Sequence, residues 1–247
     1  MTALAILVLV LLASVLQRIT GMGAAMMMAP FLVVMLGPHG GVMLTNVLAG
    51  CISAVMLASV WRRIEWRRLT LLIPAAVLVM PLASWIAARS PGGPLYIIVS
   101  CLVLAGLTLA VFLSRLGRRA DGPAVRILTG VGAGAGTVLA GVGGPAMAFY
   151  QVLSGWDPRA FAASVQPVWI TLSICGLGSK LLFSREEFPT LPWWGWLACL
   201  PLTLGGLRIG RRVGRRLSTL TASRIVVGIA VIGALLSLAT GIVALLQ

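Results

Sequence analysis

Six stretches of about twenty residues, at 41–60, 69–88, 95–114, 160–182, 191–207 and 223–246, are almost wholly apolar, and each is bounded by charge, proline or glycine. A helix of that length spans a hydrocarbon core of about 30 Å, and lipid offers backbone amides no hydrogen-bond partner, so such segments must be helical. Composition agrees: 60% of the residues are hydrophobic, 10% are charged and the mean hydropathy is +1.06. No water-soluble domain of 247 residues could place that balance on its surface. The expected fold class is therefore an all-α polytopic membrane protein.

Two further apolar stretches, 3–36 and 127–153, do not read as single crossings. Each is interrupted by glycine, at Gly21-Met22-Gly23-Ala24-Ala25 and at Gly141-Val142-Gly143-Gly144-Pro145. A break of this kind is either a kink or a reversal. The two breaks lie 120 residues apart, and the same offset relates Pro38 to Pro158, Asn46 to Gln166 and Pro81 to Pro201. Segment order also repeats, which predicts two duplicated halves, 1–120 and 121–247.

Arginine placement decides between kink and reversal, because cytoplasmic loops collect Lys and Arg. If both broken stretches cross once, the five-arginine loop 208–216 faces outside, against that rule. If both are re-entrant helical hairpins, loops 61–68, 115–126, 154–159 and 208–216 all face the cytoplasm. Fifteen of the nineteen basic residues, Arg224 included, are then inside. A hairpin plus three helices is an odd count per half, so the repeats are expected to be inverted, with both termini outside an inner membrane. The net charge of +14 is thus read as topology, and no nucleic-acid partner is expected. The start Met1-Thr2-Ala3 lacks a basic n-region and is expected to be retained.

Duplicated apolar halves, each opening with a glycine-broken helix, resemble the sulfite exporter TauE/SafE family. The resemblance covers the whole chain; its second tip carries the G-x-G-G pattern, whereas the first has alanines after Gly23. It implies a transporter of sulfite, a sulfonate or a related small anion, with export the commonest direction, and it fixes no single substrate. An anion channel, or an uptake carrier for another small organic anion, is the alternative.

The residues themselves point to an anion. A helix that restarts within the membrane leaves N–H groups free at its positive end, and glycine lets a ligand approach that backbone. Gly21, Gly23, Ala24, Gly141, Gly143 and Gly144 are therefore candidate substrate contacts, though the same glycines would also serve a tight turn or close helix packing. Asn46 and Gln166 carry amide donors that can reach an anion or hydrogen-bond between helices. Arg18 is expected either to hold the anion or to snorkel or pair with tip carbonyls. Lys180 and the tryptophans at segment ends read as interfacial anchors, and His39 as a surface residue.

The five acids, Glu65, Asp121, Asp157, Glu186 and Glu187, lie in loops or at segment ends, which argues against a carboxylate proton relay. Cys51, Cys101, Cys175 and Cys199 form no CxxC or Cys/His cluster and read as packing residues, so neither metal nor cofactor is expected. No phosphate loop of the G-x-x-x-x-G-K-[ST] type is present, and one histidine with scattered acids supplies no catalytic set. The expected partners are a small anion and the bilayer, with self-association left open.

Overall fold

A computed structural model of the chain describes residues 2–90, 121–183 and 191–214 continuously, together with Arg216 and scattered positions within 97–112 and 221–243. The expected crossings at 95–114 and 223–246 fall largely outside the described residues. The elements, all helical among the described residues, are α1 (Thr2–Thr20), α2 (Gly23–Val60), a short 3₁₀ turn (Trp61–Arg63), α3 (Trp66–Arg89), α4 (Pro123–Ala140), α5 (Gly144–Ser154), α6 (Pro158–Phe183) and α7 (Trp193–Val213). Among the described residues, five spans are long and apolar enough to cross a membrane: Ala3–Thr20, His39–Arg63, Trp66–Arg89, Pro123–Ala140 and Pro158–Phe183. Leu78 and Leu182, 80% and 82% exposed, present apolar surface of the kind that lipid covers without penalty.

Local chemistry sets the breaks where the sequence places them. Gly21 ends α1 in the left-handed region, φ +81°, with its N–H donating to Gln17 O at 2.8 Å. Gly141 does the same for α4 at φ +68°, donating to Thr137 O at 3.1 Å while Val142 N–H reaches Gly136 O at 3.0 Å. Left-handed backbone is cheap for glycine and strained for residues with a Cβ. A third break, at Gly37 (φ +80°, ψ 167°), divides α2 into a short first limb and a long second one, and Pro38 after it disfavours a helical Gly37. Gly155 closes α5 with its own N–H on Val152 O and that of Trp156 on Gln151 O. Asp157 then caps α6, its Oδ1 accepting the N–H groups of Arg159 and Ala160 at 3.0 Å each, with Pro158 at the first helical position.

Glycine also fixes how the helices pack. Gly206 and Gly210 of α7 lie against the α1 backbone at Leu11–Ser14 and Val15–Arg18, so these two helices run parallel. Gly130 and Gly134 of α4 lie in the same way against Leu72 and Ala76 of α3. Two glycines four apart put a smooth stripe on one helix face and let the backbones approach closely. The second limb of α2 runs antiparallel to α6, with Gly50 against Ser173 and Asn46 beside Gly176. Helix α5 folds back along α4, where a methyl group on Gly132 would lie 3.2 Å from Ala146 Cβ and one on Gly136 would lie 2.6 Å from Val142 O. Two apolar cores result, one among α1, α2 and α7 around Val10, Leu48 and Ile52, the other among α3 to α6 around Leu72, Tyr150 and Phe161.

One end of the bundle is strongly basic and partly latched. Asp121 accepts from Arg126 Nε at 2.8 Å and from the Tyr150 hydroxyl at 2.8 Å, and Arg68 Nη1 pairs with its other oxygen at 3.1 Å. Arg68 also pairs with Glu65 at 3.0 Å and covers the Trp156 ring. The latch ties the starts of α3 and α4 to the C-terminal half of α5. The hydrogen bond from Arg126, helped by that from Tyr150, holds the Asp121 carboxyl below the usual carboxylate range, against the opposing effect of its burial. A carboxyl depressed in the folded state contributes stability above its unfolded value, about 3.9, and loses it as pH falls through the lower folded value. Melting profiles of the detergent-solubilised protein from pH 6 to pH 3 should therefore fall less steeply in Asp121→Asn than in the wild type; identical slopes would mean that the latch contributes nothing.

Candidate functional site

Between the two helix breaks lies a small, mostly apolar cavity of about 20 Å³, room for about one water molecule. Ala24 and Ala25 come to it from the first break, and Gly141, Gly143 and Gly144 from the second. Asn46 and Ser53 of α2, Gln17 of α1, Thr137 of α4, and Trp169 and Ser173 of α6 complete its polar and aromatic wall. Among the described residues, no charged side chain lines it. The N-terminal ends of α5 and of the first limb of α2 come to this space, each directly after the C-terminal end of α4 or α1, so what the space offers an anion is the backbone donors of the restarting helices.

The second break leaves more of its backbone donors open than the first. Its first intrahelical bond is donated by Met147 to Gly143 O at 3.4 Å, leaving the preceding N–H groups of Gly144 and Ala146 without an acceptor in their own helix. No side chain of the cap residue covers them, and Pro145 has no N–H to spare. Glycine is required by contact as well as by conformation. A methyl group on Gly143 would lie 2.7 Å from Thr137 Oγ1 and 3.2 Å from the Trp169 ring, and one on Gly144 would lie 2.6 Å from Met26 Sδ. Across the cavity Asn46 is 2% exposed and its Nδ2 has no hydrogen-bond partner among the described residues. An unpaired buried donor costs about 1–3 kcal/mol, which an anion entering here would relieve.

The first break is occupied from within. Gln17 Oε1 accepts the Ala24 N–H at 3.0 Å, and Gln17 Nε2 donates to Gln166 Oε1 at 3.1 Å and to Ser53 Oγ at 3.3 Å. Gln166 Nε2 in turn donates to Gly21 O at 3.2 Å and Ala162 O at 2.7 Å, and Trp169 Nε1 also reaches Gly21 O at 2.9 Å. Both donors of Gln166 are thereby committed to the protein.

Of the nine residues singled out from the sequence, Ala24, Asn46, Gly141, Gly143 and Gly144 line the cavity, while Gly21, Gly23, Gln166 and Arg18 do not. Gly21 and Gly23 lie one layer back, against Ala162 and Leu16. Arg18 points to the basic end, donating to Ser59 Oγ at 3.3 Å within electrostatic reach of Arg63 and Arg211. Other side chains depart from their expected places. Lys180 is 2% exposed and His39 8%, so neither lies on the protein surface, and Trp156 is packed between Tyr150 and Phe161 instead of facing the interface. Trp61, Trp66, Trp193 and Trp194 are exposed at helix ends, as interfacial anchors require.

Gln17, Ser53, Thr137, Trp169 and Ser173 are cavity residues that the sequence reading passed over. The 120-residue offset carries a signal for most of them, since it pairs Gln17 with Thr137 and Ser53 with Ser173, polar with polar. Among the described residues, no three His, Cys, Asp or Glu side chains come together as a metal set.

No curated protein and no solved structure matches the chain. The family model described as sulfite exporter TauE/SafE matches residues 6–238. With nearly its whole length matched and with a bundle of membrane-length helices broken at two glycine tips, the chain belongs to the sulfite exporter TauE/SafE family of membrane transporters.

Proposed function

We propose that the chain is a secondary carrier of a small sulfur oxyanion, sulfite or a sulfonate, held between the N-terminus of α5 and the Asn46 amide and exported across a bacterial inner membrane. The observation that carries this reading is that Gly144, whose N–H has no acceptor in its own helix, and Asn46, whose Nδ2 has no partner among the described residues, line one cavity. Two sets of donors and no carboxylate among the described lining residues suit an anion, whereas a cation would leave them unpaired.

Alternating access is supported by symmetry. Under the 120-residue offset α1 corresponds to α4, the second limb of α2 to α6, and α3 to α7. Gly21 and Gly141, equivalent by this rule, share the left-handed backbone. Helix α1 packs on α7 and α4 on α3, a reciprocal exchange between halves, and the equivalent α2 limb and α6 run antiparallel. Opposed direction of equivalent helices is what inverted repeats require, with 1–120 and 121–247 as the two halves and α1–α2 and α4–α5 as re-entrant hairpins. A cavity with room for about one water favours a carrier in a closed state over an open pore. In this arrangement the basic end is cytoplasmic and both termini lie outside.

Proteoliposomes loaded with sulfite should show saturable efflux, with competition by thiosulfate, weaker competition by sulfoacetate and little by monocarboxylates. Absence of flux for all of these anions would remove the carrier reading. Reporters after Gln247 and in the 208–216 loop should read outside and inside respectively, and a cytoplasmic Gln247 would overturn the paired hairpins.

A further inference from the structure

Inverted repeats should build the anion site twice, yet the two copies differ in every polar partner. In the second copy Gly144 and Ala146 keep free N–H groups and Asn46 Nδ2 is unpartnered. In the first, the Ala24 N–H is taken by Gln17 Oε1 and the amide of Gln166, the counterpart of Asn46, is spent on Gln17, Gly21 and Ala162. The counterpart of Gln17 is Thr137, whose short side chain bonds its own helix at Ala133 O, 2.7 Å away, and leaves its tip open. Gln17 therefore accounts for the occupied N–H at the first tip, while Gly21 O and Ala162 O take the Gln166 donors.

We propose that Gln17 is a specificity-determining residue that occupies the first tip in place of substrate, displaces the bound anion toward Gly144 and Asn46, and restricts the cavity to small oxyanions. This rests on the anion-site reading above. The carbonyl oxygen of Gln17 accepts from Ala24 N–H as an anion oxygen would, and its NH₂ bridges α2 and α6 through Ser53 and Gln166. Held by three bonds to neighbours on two other helices, the side chain cannot swing aside without leaving buried partners unsatisfied. It thus acts as a fixed wall. A larger sulfonate would have to displace it, and losing those bonds is the penalty that separates large from small anions.

Isothermal titration of the purified protein in detergent with sulfite and with sulfoacetate tests this, with melting temperature as the check on folding. The wild type should bind sulfite more tightly than sulfoacetate by about ten-fold or more, the equivalent of about 1.4 kcal/mol. Gln17→Thr, which installs the counterpart residue, should narrow that ratio by about ten-fold, mainly by improving sulfoacetate. Gln17→Glu keeps the shape but brings an acid against the anion, and should abolish binding of both while the protein still melts cooperatively. An unchanged ratio in folded Gln17→Thr, or sulfite binding intact in Gln17→Glu, overturns the proposal, and the second variant decides the matter if the first does not fold. A wild type that prefers sulfoacetate sinks the size argument alone. A wild type that binds neither anion removes the anion site itself and this inference with it.

Discussion

Asn46→Leu should lose anion transport while melting at the same temperature as the wild type or higher. In a packed bundle a core polar-to-apolar change usually carries a penalty because the partner is left unsatisfied. Here the Asn46 Nδ2 has no partner to abandon, and a buried unpaired amide is itself unfavourable by about 1–3 kcal/mol. Leucine has a similar volume and faces Met80 and Gly176, so the exchange is close to neutral for folding. Function should respond oppositely. A hydrogen bond to a charged group contributes about 1.5–3 kcal/mol, so its loss weakens anion binding by roughly 10- to 100-fold. Efflux from proteoliposomes and a thermal melt on the same preparation read the two effects. Gln166→Leu is the necessary contrast, because its amide holds Gln17, Gly21 and Ala162 together; it should cost about 2–4 kcal/mol of stability. If Asn46→Leu destabilises as much as Gln166→Leu, Asn46 serves packing and is not a ligand.

Gly206→Leu should prevent accumulation of folded protein, whereas Gly205→Leu, one residue away, should be tolerated. A Cβ on Gly206 would lie 2.6 Å from Ser14 Cβ and 2.7 Å from Leu11 O, and backbone cannot move aside as a flexible side chain can. A branched side chain there forces α7 away from α1 along their whole contact, with a penalty above the 1–3 kcal/mol usual for overpacking, roughly 4 kcal/mol or more. Nothing lies within 4 Å of the corresponding position on Gly205, and replacing glycine within a helix gains about 0.5–1 kcal/mol of propensity. Size-exclusion profiles of the detergent-extracted variants distinguish them directly. Equal behaviour of the two would mean that the α1–α7 backbones are not in close contact.

Gly206 and Gly205 also show where the sequence stops being informative. Adjacent glycines in one apolar run are indistinguishable by pattern, because periodicity reports a face only when polar and apolar residues alternate on it, and a lipid-exposed helix is apolar all round. Direction of packing was hidden for the same reason. By contrast the breaks at Gly21 and Gly141 were visible, since a left-handed residue must be glycine and the offset of 120 residues repeated the signal. Arg18 drew attention as an intramembrane charge, but a long flexible stem let it reach Ser59 at the basic end instead of the cavity.

Asn46 and Gln166 looked alike in the sequence, equivalent positions with equivalent chemistry. Their difference is that Gln166 finds acceptors for its NH₂ at Gly21 O and Ala162 O and a donor in Gln17, whereas Asn46 Nδ2 has no partner among the described residues, and that depends on where three helices place their groups. What the sequence alone determined was the solvent of this chain, its helical class and the location of its breaks, because lipid compels backbone hydrogen bonding within each segment and glycine alone relaxes it. Which of the two tips is free for a ligand was decided only by tertiary structure, because whether a buried amide is paired depends on groups distant in the chain and close in space.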